Sequence, residues 1–189
     1  MSARDALGQP VFYYDLGSPE CYIVAERIMT ALPVFPEWEP VLGSRLGATD
    51  ARPDLAALER RARELDLQPL RWPARFPPDA REAMLAATYA KQIGRAVAFS
   101  LAAFRQAFAG GRDLGERDTV LIAGAACEMH PTAILKGIRL RSTVQALETA
   151  GQRAIVAGVR SLPAIEVNGE LFEGEGGLDE AAQSLGALT

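Results

Sequence analysis

The sequence predicts an α/β fold with a β-α-β unit, then a large all-helical insertion, then a β-hairpin and a closing helix. Three observations carry this prediction. An aromatic and β-branched run at 11–15 leads directly into a helix start, and the Ala-, Leu-, Arg- and Glu-rich block 52–156 has no strand pattern. Finally, Asn168-Gly169, the strongest short hairpin signal, lies between two short apolar runs.

The first unit is predicted to contain a strand, a helix and a second strand. Residues 11–15 form a short buried strand. Ser18 is a favourable N-cap residue and Pro19 suits the first helical position, so a helix begins there and ends at Leu32-Pro33. Residues 38–42 form a second strand, which we expect to pair in parallel with the first across the helix.

The central block is predicted to be helical. Its clearest helix carries an apolar stripe and ends at Gly110-Gly111; the stripe consists of Val97, Leu101, Phe104 and Phe108. Further helices are expected over 79–93, over 116–127 and from 131 onward, with a break near 141–142. The proline-rich segment 67–78 is an extended connection, which Trp72 and Phe76 hold in place.

The last third returns to strands. Residues 164–167 and 171–172 form the hairpin, and 178–188 form a closing helix. A length of 189 residues favours one domain, or one domain with a large insertion. We therefore predict a sheet-containing domain at 10–45 and 156–189, and an inserted helical domain at 46–155.

Composition narrows the classes of function. Twenty basic and 24 acidic residues give a net charge of -4, so we expect no nucleic-acid partner. No stretch approaches the roughly twenty apolar residues of a membrane helix, so no membrane partner is expected.

Cysteine and histidine usage is sparse. Cys21 and Cys127 are too few for a disulfide framework and too far apart for a zinc knuckle, which favours a reducing, cytoplasmic location. His130 is the single histidine, so no multi-histidine metal site is available, and we predict no metal site.

The most informative segment is 15–21, where a strand meets a helix N-terminus. Unpaired backbone N–H groups and the positive end of the helix dipole favour an anion there, and a thiolate is such an anion. Ser18 could donate to a bound thiolate, or Cys21 could itself be the thiol, although Glu20 disfavours a second negative charge. Alternatively, Ser18 is only an N-cap and Cys21 only a buried packing residue.

Three segments together resemble the DsbA-like branch of the thioredoxin superfamily. They are Tyr14-Asp15 with Ser18-Pro19, Arg71-Trp72-Pro73 with Phe76-Pro77, and 159–163 before the hairpin. In particular, the chain resembles the group that contains 2-hydroxychromene-2-carboxylate isomerases and kappa-class glutathione transferases. The resemblance implies a thioredoxin-like fold interrupted by a helical insertion.

The resemblance also implies a set of site residues. Ser18 stands where the oxidoreductases have the attacking cysteine, and Cys21 where they have the resolving cysteine. Pro163 is implied to be cis, with the Leu162 backbone pairing with an extended thiol peptide. Glu175 stands where relatives hold the γ-glutamyl end of glutathione, although Gly176 replaces a hydroxyl residue there. Pro19 and Trp72 complete the predicted thiol- and substrate-binding set.

Three functions remain open. The first is thiol-disulfide oxidoreduction through Cys21, with an atypical S-P-E-C motif and a small thiol or protein disulfide as partner. The second is a glutathione-dependent isomerase or transferase for an aromatic, chromene-like small molecule, with Ser18 polarising the thiol. The third is a non-catalytic thiol- or peptide-binding module. We expect no tightly bound cofactor, glutathione as cosubstrate, and, by analogy with relatives, a homodimer.

Overall fold

The computed structural model describes residues 8–47 and 53–187, so residues 1–7, 48–52 and the predicted helix end at 188 lie outside the described part. The elements in order are β1 (Val11–Tyr14), α1 (Pro19–Ala31), β2 (Glu37–Pro40), a 3₁₀ turn (Gly43–Arg45), α2 (Leu55–Glu64), α3 (Arg81–Gln92), α4 (Ala96–Phe104) with a π-helical turn (Arg105–Ala109), α5 (Arg117–Ala126), α6 (Pro131–Gly137), α7 (Arg141–Ala157), β3 (Ala164–Val167), β4 (Glu170–Glu173) and α8 (Gly177–Ala187).

The strands form one mixed sheet in the order β2-β1-β3-β4. β1 and β2 are parallel, as predicted, and β3 pairs antiparallel with both β1 and β4. Phe12 lies at the centre of the sheet, opposite Trp38 on one side and Ile165 on the other. Asn168 and Gly169 form the predicted hairpin turn with φ of 51° and 83°, the left-handed geometry that this turn type requires.

The alternation of β1 divides its side chains between the two faces of the sheet. Phe12 and Tyr14 belong to the large core that α1, the helical block and α8 build on one face. Tyr13 belongs to a smaller core on the other face, where Ala150 and Ala154 of α7 pack. The predicted α/β fold with a large helical block is confirmed.

The helical block and the sheet share the larger core. Tyr14, Tyr22, Phe104 and Phe108 are all fully buried, and their ring centroids lie 5.7 to 6.5 Å apart in neighbouring pairs. The division into two domains at 46–155 stays a prediction. α7 crosses the predicted boundary at 155 and ends at Gly158, whose φ of 96° stops the helix.

Most predicted elements are present with shifts of one or two residues at their ends. The second strand is Glu37–Pro40 instead of 38–42, because the chain turns into the 3₁₀ turn after Leu42. Of the predicted Val97–Phe108 stripe, Phe104 and Phe108 are fully buried and Val97 and Leu101 half-buried, and the helix changes to π geometry at Arg105. None of the helices in the described part of the chain has the length and apolar character of a membrane span.

Candidate functional site

A groove of about 510 Å³ lies at the N-terminal end of α1. Four segments form its walls: the turn between β1 and α1, the loop after β2, the end of the proline-rich connection, and the residue before Pro163. The lining residues are Asp15, Gly17, Ser18, Leu42, Gly43, Ser44, Pro77, Pro78, Asp79, Ala80, Arg81 and Leu162. Two of the predicted site residues, Ser18 and Leu162, therefore line the same groove.

Ser18 occupies the N-cap of α1 in extended backbone geometry, with φ of -96° and ψ of 121°. Its Oγ accepts a hydrogen bond from the Cys21 backbone N–H at 3.2 Å and donates one to Glu20 Oε2 at 3.0 Å. Because the first N–H groups of a helix point outward and carry the positive end of the dipole, an anion in the groove beside Ser18 is stabilised.

Cys21 lies in the first turn of α1 and is 0% exposed. Burial raises the pKa of its thiol far above the ordinary value. A hydrogen bond with the Ser18 side chain and contact with the Asp15 backbone oppose this rise, and the charges of Asp15 and Glu20 add to it. In this conformation Cys21 is therefore a neutral thiol without access to the groove, and only a thiolate is a strong nucleophile.

Asp15 follows β1 and bridges two walls of the groove. Its Oδ1 accepts from the Gly17 N–H and its Oδ2 from the Gly43 N–H, both at 2.8 Å. Burial raises the pKa of Asp15 above the ordinary value for aspartate, and the two backbone hydrogen bonds oppose that rise.

Leu162 forms a third wall, and the peptide bond that joins it to Pro163 is cis, as the resemblance implies. The register between β1 and β3 begins at Ala164, so the Leu162 backbone lies beyond the last paired residue and beside the groove. An extended ligand at this position could continue the sheet by strand addition.

Glu173 and Gly174 hold the chain that leads into this wall. Glu173 Oε1 accepts from the backbone N–H groups of Arg160 at 2.6 Å and Ser161 at 3.0 Å. The Gly174 N–H donates to the Pro163 carbonyl at 2.8 Å. The end of β4 therefore orders the segment that presents Leu162.

Two other predicted site residues, Pro19 and Trp72, do not line the groove. Pro19 is buried at the first position of α1. Trp72 packs its ring against Phe76 and Phe108, and its Nε1–H donates to Glu59 Oε1 at 2.6 Å. Trp72 thus holds the proline-rich connection in place, as the sequence suggested for it and Phe76.

Glu175 lies just before α8 and takes part in an ion-pair network between α1, α2 and α8. Its carboxylate pairs with Arg27 at 3.2 Å and with Arg61 at 3.0 Å. Asp179 pairs with the same two arginines, at 2.7 and 3.7 Å. The Glu175 carboxylate therefore already has two cationic partners within the chain.

A second cleft of about 340 Å³ shares Asp79 and Arg81 with the groove. Arg117 and Arg139 also line it, and Glu82 holds the Arg117 guanidinium through Nε at 2.7 Å.

Within 8–47 and 53–187, no three His, Cys, Asp or Glu side chains cluster as metal ligands would.

Sequence reasoning did not single out Gly43, Ala80 or the side-chain role of Asp15. The available signals were the aspartate placed two residues before Gly17, which is typical of an Asx turn, and the glycine that follows the second strand. Neither signal shows that the two segments meet, because that contact depends on the sheet order.

Comparison with known proteins gives structural matches only. No protein-family model matches the chain, and no curated protein sequence matches it. The solved structures with similar folds include a 2-hydroxychromene-2-carboxylate isomerase, at a TM-score of 0.84 and 16% identity over 96% of both chains.

Two oxidoreductases are also similar. A probable DsbA oxidoreductase from Streptomyces coelicolor matches at a TM-score of 0.76 and 15% identity, over 95% of this chain and 89% of that one. The cytosolic disulfide reductase DsbM from Pseudomonas aeruginosa matches at 0.66 and 15%, over 95% and 98%. The fold is therefore the DsbA-like thioredoxin fold. Proteins with this architecture include both disulfide oxidoreductases and an isomerase, so the reaction has to be argued from the site.

Proposed function

We propose that this protein is a glutathione-dependent isomerase or transferase that acts on an aromatic small molecule, with Ser18 as the residue that polarises the glutathione thiol. The observation that carries the proposal is the contrast between two side chains. Ser18 lines an open groove at a helix N-terminus, whereas the Cys21 thiol is fully buried. The structural similarity to a 2-hydroxychromene-2-carboxylate isomerase supports this choice.

The first step is the binding of glutathione as its thiolate. The Ser18 O–H points to Glu20, so it has to rotate to donate to a sulfur atom in the groove. A charge-assisted hydrogen bond of this kind contributes about 1.5–3 kcal/mol. The N-terminus of α1 adds a favourable field, so the bound thiol ionises more readily than free glutathione.

The second step uses the nucleophilic thiolate. In an isomerisation the thiolate adds to an electron-poor carbon of the aromatic cosubstrate and is expelled again, so that glutathione is regenerated. In a transfer the new C–S bond remains, and the cosubstrate either takes up a proton on the neighbouring carbon or loses a leaving group with the electron pair of the broken bond. The Leu162 backbone pairs with the cysteinyl segment of glutathione, which is supported by its position beside the groove and beyond the last paired residue of β3. Leu42, Pro77 and Ala80 supply apolar surface in the same groove for the cosubstrate ring.

Thiol-disulfide oxidoreduction through Cys21 is the alternative. The similarity to DsbA and DsbM supports it at the level of fold. It requires α1 to open enough to expose a thiol whose ionised form is strongly disfavoured by burial. A non-catalytic thiol-binding module is the third candidate, and it would bind glutathione without turnover.

The deciding experiment compares Ser18→Gly with Cys21→Ala. Glycine is tolerated at an N-cap within a few tenths of a kcal/mol, so the first variant removes the hydroxyl while keeping the helix start. The pKa of bound glutathione is measured from the ultraviolet absorbance of the thiolate. We expect Ser18→Gly to raise this pKa by about one to two pH units and Cys21→Ala to leave it unchanged.

Intact mass after incubation with oxidised glutathione tests the alternative directly. We expect no adduct on the native protein. An adduct mapped to Cys21, together with lost disulfide-exchange activity in Cys21→Ala, would establish the oxidoreductase instead. Saturable glutathione binding with no turnover of any chromene or other electrophilic aromatic substrate would favour the binding module.

A further inference from the structure

We propose that Asp15 is the positioning residue of this site, because its carboxylate joins the turn that carries Ser18 to the loop that forms the neighbouring wall. The inference rests on the proposed function, since it concerns where Ser18 stands relative to bound glutathione. Asp15 itself is not placed on the reacting atoms. It acts through the backbone of two loops.

The Oδ1 atom of Asp15 contacts the turn that carries Ser18. Oδ1 accepts the Gly17 N–H at 2.8 Å, and the Asp15 main-chain carbonyl accepts the Ser18 N–H at 3.1 Å. A Cβ built on Gly17 would lie 3.3 Å from Oδ1 and 3.4 Å from the Ala80 Cβ. The turn therefore lies between the Asp15 carboxylate and Ala80 of the helical block, with little room for a side chain at position 17.

The Oδ2 atom of Asp15 contacts the loop after β2. Oδ2 accepts the Gly43 N–H at 2.8 Å, across a sequence separation of 28 residues. A Cβ on Gly43 would lie 3.4 Å from Oδ2 and 3.8 Å from the Leu162 Cδ1, so this loop also adjoins the Leu162 wall. One carboxylate thus holds the backbone of two walls of the groove, and those two walls adjoin Ala80 and Leu162 in the other two.

The carboxylate at position 15 is informative because its negative charge disfavours the thiolate binding that the proposed function requires. A negative group beside the groove makes a bound thiolate less favourable. An amide of the same shape would avoid this cost but could accept only one of the two N–H groups, since its –NH₂ would face the other. The carboxylate is the side chain of this size that accepts both hydrogen bonds.

The charge of Asp15 and its hydrogen bonds have opposite effects on thiolate binding, so a variant that changes both tests the inference. Asp15→Asn removes the charge, which by itself would lower the pKa of bound glutathione and strengthen binding. Loss of one of the two hydrogen bonds to the Asp15 carboxylate would displace Ser18, raise that pKa and weaken glutathione binding. We expect the second effect to dominate, with a roughly tenfold rise in the Kd for glutathione. Asp54→Asn is the matched control, because Asp54 Oδ1 also accepts a backbone N–H, from Ala57 at 3.0 Å, but lines neither cleft.

A double-mutant cycle with Ser18→Gly shows whether the effect passes through Ser18. If it does, the two changes are strongly non-additive in the Kd and in the pKa of the bound thiol. Additive effects, an unchanged Kd in Asp15→Asn, or tighter binding would each overturn the inference.

Hydrogen exchange on the wild-type protein covers the case in which Asp15→Asn does not fold, and also the case in which wild type binds no glutathione. In the second case the proposed function is rejected, and hydrogen exchange still tests the two hydrogen bonds that the Asp15 carboxylate accepts. We expect the Gly17 and Gly43 amides to exchange slowly and with similar protection, because one side chain holds both. An unprotected Gly43 amide would show that the hydrogen bond from Gly43 to Asp15 Oδ2 is absent, and would overturn the inference.

Discussion

The Ser18 hydroxyl donates to Glu20 Oε2 at 3.0 Å, so the side chain proposed to bind a thiolate is engaged by a carboxylate two residues further along α1. Glu20 also lies in the first turn of the helix, where an acidic residue interacts favourably with the dipole. The same carboxylate therefore stabilises the helix and competes with an anionic ligand for the Ser18 proton.

Glu20→Gln should strengthen thiolate binding. The substitution removes a negative charge beside the groove and weakens the hold on the Ser18 hydroxyl. We expect the pKa of bound glutathione to fall by about one pH unit, at a stability cost of about 0.3–1 kcal/mol. Ultraviolet titration and chemical denaturation measure the two effects. Glu26→Gln is the control, because Glu26 lies on the same helix but pairs with Arg105; equal shifts in both variants would contradict the assignment.

Ser18→Cys should create a disulfide-reductase activity. It places a cysteine at the helix N-cap, where the dipole lowers thiol pKa values, and it restores the C-x-x-C spacing with Cys21. The thiol at position 18 can then attack, and Cys21 can resolve the mixed disulfide without needing to be the initial nucleophile. Turnover of an insulin-type disulfide substrate is the measurement. We expect none in wild type or Ser18→Thr, and failure of Ser18→Cys to form a disulfide with Cys21 would refute the prediction.

Glu175→Gln should reduce stability more than it reduces glutathione binding. The variant removes one of the two carboxylates that pair with Arg27 and Arg61, while Asp179 remains. We expect the free energy of unfolding to fall by about 1 kcal/mol, and by less at high salt. Glu148→Gln is the control, since the Arg45–Glu148 pair is exposed and 3.8 Å apart, and its loss should be nearly neutral. A large rise in the glutathione Kd without loss of stability would show instead that Glu175 holds the ligand.

Stability should fall steeply in alkaline solution. Burial raises the pKa of Tyr22 to about 12 and raises the pKa of the Cys21 thiol far above its ordinary value of 9.0. Below about pH 9 both groups are protonated in the folded and unfolded states, so they add no pH dependence. Above about pH 9 the unfolded chain loses the Cys21 proton, and above about pH 10 the Tyr22 proton, while the folded chain keeps both. Stability then falls by about 1.4 kcal/mol per pH unit for each group that is ionised only in the unfolded chain.

Urea denaturation at a series of pH values measures this slope. Cys21→Ala should remove the part of the slope that begins near pH 9. Tyr22→Phe should remove only its own share of the part that begins near pH 10, because burial also raises the pKa values of Tyr13 and Tyr14. A free energy of unfolding that stays constant up to pH 11 would contradict the burial of both groups.

The sequence by itself determined the order and type of the elements and the start of α1. Local signals were sufficient for these features. Ser18 and Pro19 define a helix N-terminus, Asn168-Gly169 defines a hairpin turn, and the stripe from Val97 to Phe108 defines one face of a helix. The same local signals identified Ser18 and Cys21 as the residues worth testing.

Only the tertiary structure decided which of these two side chains faces the groove. Both lie in the first turn of one helix, three residues apart, so sequence spacing does not distinguish them. The core formed by β1, α1 and the helical block buries Cys21, and the walls from Gly43, Ala80 and Leu162 leave Ser18 open. Access to the groove depends on contacts between segments far apart in the chain, and no local pattern encodes which of those segments will meet.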